Sequence, residues 1–172
     1  MKNAVVLLFA LLTATAAFAE GEMQKFDFLV GEWKGEAWAQ MGPGKTEHYI
    51  QTERVTPKAG GKVLLVEGLG KKKLADGAVG EVVHDAIAFI SWDAEKKTYR
   101  FNAHVAQKPS LDTTLDLTAP NTGVWGFTTP QGAKIRYTIR LNDKGEWNEI
   151  GEFSRDGASW MKFFEMTLQK VK

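Results

Sequence analysis

What the chain lacks narrows it first. It has no cysteine, so no disulfide can staple the fold, no thiolate can act as nucleophile, and a lipid anchor on a cysteine is excluded. It has no surplus of charge: 22 Lys and Arg stand against 21 Asp and Glu. That balance removes the basic footprint nucleic-acid binding needs. Histidine is scarce, at three, and His48, His84 and His104 share no spacing that would set two ligands on one metal. No Gly-x-Ser-x-Gly nucleophile motif occurs. Gly68-Leu69-Gly70-Lys71 lacks the four-residue gap and the Ser or Thr of a phosphate loop. Catalysis has no evident centre here.

Long apolar runs are also missing, apart from one. Ala4 to Leu12 is apolar without a break, preceded by Lys2 and followed by Ala17-Phe18-Ala19. A positive start, an apolar middle and a small-x-small end predict a secretory signal over 1–19, too short to span a membrane. The expected address is the periplasm or the extracellular space, with 20–172 as one domain. Without Lys2, the 22 basic residues become 21 against 21 acidic. An exported domain without disulfides must rest on core burial alone, and six Trp with ten Phe supply it.

What is present is turn chemistry. Gly42-Pro43-Gly44, Pro57 to Gly61, Asp76-Gly77, Asp93 to Lys97, Lys108-Pro109, Pro120 to Gly123, Pro130 to Gly132, Asn142 to Gly145 and Asp156-Gly157 break the chain at short intervals. Glycine supplies positive φ, proline presets φ and refuses the ladder, and Asp or Asn closes an Asx turn. Ten strand-like segments lie between. In Lys134–Leu141, Ile135, Tyr137, Ile139 and Leu141 alternate with Lys134, Arg136, Thr138 and Arg140, a period of two. Tyr99, Phe101, Ala103 and Val105 alternate the same way with Arg100, Asn102 and His104. Only Met23 to Val30 has room for a helical turn or two. No segment can hold a crossover helix, so neighbours pair as antiparallel hairpins. The predicted fold is all-β: an up-and-down barrel of about ten strands with a short N-terminal helical plug. Such a barrel is wider than its side chains fill, so a cavity is expected. Charged residues in mid-strand speak against the outward apolar band, about 25 Å tall, of a membrane-embedded barrel.

Phe28-Leu29-Val30-Gly31-Glu32-Trp33-Lys34-Gly35 resembles the Gly-x-Trp opening of the calycin superfamily, the lipocalins and fatty-acid-binding proteins. It is more similar to the start of nitrobindin-like proteins and of a bacterial domain family of unknown function, DUF1579. Ile90 to Tyr99 resembles that family's mid-barrel hairpin, and Phe164 to Leu168 its last strand. The resemblance implies a ten-stranded lipocalin-like barrel. It also implies that Trp33 is structural, capping the closed end beneath a basic side chain, either Lys170 or Arg155. Nitrobindins hold haem through a histidine near the C-terminus. No histidine follows His104, so haem is not carried over.

The cheaper residues to bury are the apolar ones, so Arg136 and Arg140 are expected to face outward. The predicted cavity lining is Tyr99, Phe101, Val105, Ile135, Tyr137 and Ile139, with Trp125, Phe127 or Phe153. A small hydrophobic or planar ligand is the expected partner. Two other readings stand beside it. One is a haem enzyme or sensor using His84 or His104; the other is a structural or interaction protein with a filled barrel.

Overall fold

The computed structural model describes residues 21–106 and 108–171; the predicted signal segment lies outside them. Ten strands carry the fold: β1 (Gly31–Gly42), β2 (Lys45–Lys58), β3 (Val63–Lys73), β4 (Val79–Asp93), β5 (Thr98–Val105), β6 (Leu111–Ala119), β7 (Thr122–Thr128), β8 (Lys134–Leu141), β9 (Trp147–Ser154) and β10 (Met161–Lys170). Each pairs antiparallel with its neighbours in sequence, and β1 closes the ring against β10. Closure leaves no ladder edge open. All nine predicted breaks fall at the nine connections.

Alternation sets inside from outside. Ile135, Tyr137, Ile139 and Leu141 of β8 pair with Phe153, Gly151, Glu149 and Trp147 of β9. The opposite phase carries Arg136, which forms an ion pair with Glu152 at 2.7 Å and lies 4.0 Å from the Trp160 ring. Arg140 donates to Asn148 Oδ1 at 3.1 Å. Both arginines therefore face outward and find partners there.

One end is sealed by the segment before β1. A helical turn at 21–24 and a 3₁₀ turn, Asp27–Leu29, insert Met23, Phe26 and Leu29, none more than 2% exposed. Burying side chains of this size stabilises by about 2 kcal/mol each. Trp33 ties plug to wall: its indole N–H donates to the Leu29 carbonyl at 2.7 Å. Its ring meets Trp147 edge-on at 5.9 Å, and Lys170 Nζ sits 5.3 Å from its centre. Lys170, not Arg155, is the basic residue on that ring. Tyr99 holds the other side, donating to Glu22 Oε2 at 2.6 Å and meeting Phe26 edge-on at 4.8 Å.

A register shift between Lys162 and Phe164 interrupts β10. It lets Phe163 and Phe164, adjacent in sequence, both reach Tyr137, at 5.7 and 5.9 Å. Apolar side chains therefore follow one another along this strand because of a bulge.

Candidate functional site

The inward side chains form three layers. At the plugged end Trp33, Leu64, Ile90, Leu115, Trp147 and Leu168 are at most 2% exposed. At the other end, inward positions such as Ala39, His84, Val105, Ile135, Phe153 and Phe163 remain half-buried. Water reaches these side chains and not those at the plug, so the two ends of the barrel differ; we call the wetter end the mouth.

Between floor and mouth lies a polar layer. Gln51 and Glu53 project inward from β2 and Glu149 from β9, at 4%, 8% and 8% exposure. Gln51 Nε2 donates to Glu53 Oε1 at 2.8 Å. Glycines opposite make the room: a Cβ on Gly68 would stand 2.7 Å from Glu53 Oε1, and one on Gly70 would stand 2.6 Å from Gln51 Oε1. On the far wall a Cβ on Gly151 would come within 2.8 Å of the Tyr137 ring. The spacing of Gly68 and Gly70 thus serves side-chain clearance.

Burial dominates the electrostatics. Desolvation pushes the Glu53 carboxyl up to about 7, against the opposing Gln51 hydrogen bond. It pushes Glu149 up to about 8, with Glu53 adding repulsion and the Trp147 and Trp125 indoles acting in the opposite sense. No cationic side chain acts on either. The Trp125 and Trp147 indole nitrogens are buried and act on Glu149, but neither reaches ordinary hydrogen-bond geometry with any described residue. Burial also raises the Tyr49 hydroxyl to about 12, and raises Tyr137, which feels both Glu149 and Tyr49.

Aromatic rings fill one side. Phe101 stacks on Trp125 at 4.5 Å, and Trp125 on Tyr137 at 4.3 Å and 9° between planes. The opposite wall is small: Ala37 and Ala39 on β1, Gly68 and Gly70 on β3, Ala86 and Ala88 on β4, Ala103 on β5.

Tyr99, Phe101, Val105, Trp125, Ile135, Tyr137, Ile139 and Phe153 all lie on the inward phase. They do not form one surface. Tyr99 and Ile139 are packed at the floor, and Val105, Ile135 and Phe153 stand at the mouth with Phe127. The histidines separate: His84 faces inward opposite Gly70, whereas His104 is exposed and meets Phe89 on the outer side at 6.4 Å. Burial lowers the His84 imidazole's proton affinity. As an axial ligand for haem, His84 would have to share the barrel interior with the Phe101–Trp125–Tyr137 stack. The residues present do not fit that group. Among the described residues no cluster of three or more His, Cys, Asp or Glu could hold a metal.

The sequence reading missed Gln51, Glu53 and Glu149. β2 from Glu47 to Arg54 is polar on both phases, so alternation marks no inside there. Glu149 sits on the phase of Trp147, Gly151 and Phe153, and following that phase would have placed it. Two surface concavities, of about 390 and 320 Å³, lie outside the barrel, beside the plug around Lys25 and Leu117.

No protein-family model and no curated protein matches this chain. Among solved structures, the crystal structure of Rv2717c from M. tuberculosis is similar, with a TM-score of 0.61 at 12% identity, covering 87% of this chain and 97% of that one. At that identity the likeness extends to the fold alone.

Proposed function

We propose that the protein is an exported barrel, lipocalin-like and related to the DUF1579 group within the calycins, that takes a small hydrophobic or planar ligand through its open end. The observation that carries this reading is the gradient of burial along the inward face: complete at the plug, partial at the mouth. A barrel serving only as a scaffold gains nothing by leaving Val105, Ile135 and Phe153 wet, because each apolar surface kept from water adds about 25 cal/mol per Å². The small-residue wall facing the Phe101–Trp125–Tyr137 stack favours a ligand of about one ring's size. The outer phase, with its Arg136–Glu152 and Lys162–Glu165 pairs, suits water, and no helix among the described residues is long and apolar enough to cross a membrane.

Native mass spectrometry of the mature protein, purified gently from its own host, tests the reading. A bound mass that leaves on activation supports it. Protein at the bare polypeptide mass across growth conditions favours a filled barrel with a structural role.

A further inference from the structure

The buried polar layer has a chemistry that hydrophobic binding does not use. Two carboxyls, Glu53 and Glu149, sit in the barrel at 8% exposure each. Among the described residues, only Gln51 donates to one of them at ordinary hydrogen-bond geometry. Burying a carboxylate without a cation is costly, so such a carboxyl stays protonated until a cation stands beside it. None acts on this pair. Trp147 is a second sign: it is 2% exposed, shares the inward phase of β9 with Glu149, and its indole nitrogen acts on that carboxyl yet completes no hydrogen bond of ordinary geometry among the described residues. Buried polar atoms left open in this way mark a place where something else belongs.

The occupant's charge follows. An anionic head, such as a fatty acid's, would meet two acidic groups and no inward arginine. An ammonium group supplies the missing cation and forms charge-assisted hydrogen bonds with carboxylates. Its apolar body would lie between the Ala86–Ala103 wall and Tyr137 with Phe164, which line the way to the mouth. We propose that the barrel interior selects an organic ammonium compound carried on a flat apolar body, with its charged head at Glu53 and Glu149. The proposal rests on the container reading above and names the class of its ligand.

Binding is proton-linked, because the carboxyl that meets the ammonium must give up its proton. Among the described residues, the other ionisable side chains on the inward phase are Glu47 and Tyr49 on β2, Lys72 on β3, His84 on β4, Tyr99 on β5, Tyr137 on β8 and, at the plugged end over Trp33, Lys170 on β10. Burial favours the neutral form of these tyrosines and of His84, and Glu47 stands at the rim near Lys45, at 3.5 Å.

The test is calorimetric titration of the mature protein with three matched probes: 2-phenylethylammonium, 2-phenylethanol and phenylacetate. At about pH 8.5 the ammonium should bind at least about tenfold tighter than the alcohol, and the alcohol tighter than the carboxylate. From about pH 8.5 to about pH 6 the ammonium's affinity should fall about tenfold or more while the alcohol's stays level. Titration of the wild type in buffers of different ionisation enthalpy should show proton release with the ammonium alone, which needs no variant. Glu149→Gln and Glu53→Gln, checked for folding by near-UV circular dichroism, should remove the ammonium preference and keep the alcohol's affinity. An alcohol that binds as tightly as the ammonium, with no proton release, overturns the proposal and leaves the container reading standing. Failure of all three probes to bind overturns both.

Discussion

Replacing Glu149 by Gln should make the protein more stable at alkaline pH and abolish most of its pH dependence. The carboxyl ionises near 4.5 when solvated and near 8 in the fold, because burial disfavours the charge and Glu53 repels it. Folding therefore binds a proton throughout the window between those values. A raised acid contributes its stability fully below about 4.5, and that contribution drains away as pH rises through the folded value near 8. The gap corresponds to about 5 kcal/mol at about 1.4 kcal/mol per tenfold, a large share of a typical stability of about 5–15 kcal/mol. At about 2–4 °C per kcal/mol for a domain of this size, the wild-type Tm should drop by about 10 °C or more from about pH 5 to about pH 9. Glu53 titrates in the same direction, up to about 7. His84 has the opposite sign: its lowered value makes stability rise with pH, but only below its ordinary 6.5. Thermal unfolding followed by circular dichroism across that range measures the slope. Glu149→Gln keeps the shape and cannot ionise, so its curve should be nearly flat above about pH 7, once Glu53 has titrated, and lie within about 1 kcal/mol of wild type at about pH 5. A flat wild-type curve, or a variant with the wild-type slope, would refute the buried charge pair.

Other perturbations read different parts of the barrel. Gly68→Ala puts a methyl 2.7 Å from the Glu53 carboxyl and should cost about 1–3 kcal/mol in urea unfolding; the added Cβ in Glu53→Gln, Gly68→Ala should cost the same, since the clash is steric. Tyr99→Phe removes the hydrogen bond to Glu22 and should cost about 1–2 kcal/mol, with hydrogen exchange accelerating in residues 21–30 ahead of the strands. Trp33→Phe loses the bond to the Leu29 carbonyl and part of a ring that is 2% exposed; a loss of about 2–4 kcal/mol in chemical denaturation is expected.

The fold was legible because turn chemistry and alternation agree along most of the chain. Nine clusters of Gly, Pro, Asp and Asn mark nine connections, and strands such as Lys134–Leu141 give their buried face without help. The site was less legible for a physical reason. Reading buried faces from hydrophobicity finds residues that gain by leaving water, and Gln51, Glu53 and Glu149 do not. They lie inside because the backbone phase of β2 and β9 puts them there, with Gly68 and Gly70 across the ladder giving clearance. β10 is illegible for a related reason: a bulge after Lys162 changes its phase, and nothing in Lys162-Phe163-Phe164 announces one.

Where a bound ligand sits is the most direct question to put to the molecule. Backbone and methyl chemical-shift mapping by NMR, with 2-phenylethanol added to the mature protein, answers it. An interior open at one end predicts shifts confined to inward mouth positions, with intermolecular contacts to the methyls of Ala86, Ala103 and Val105. Shifts gathered instead around Lys25 and Leu117 outside the plug, or spread along the outer phase of the strands, would contradict it.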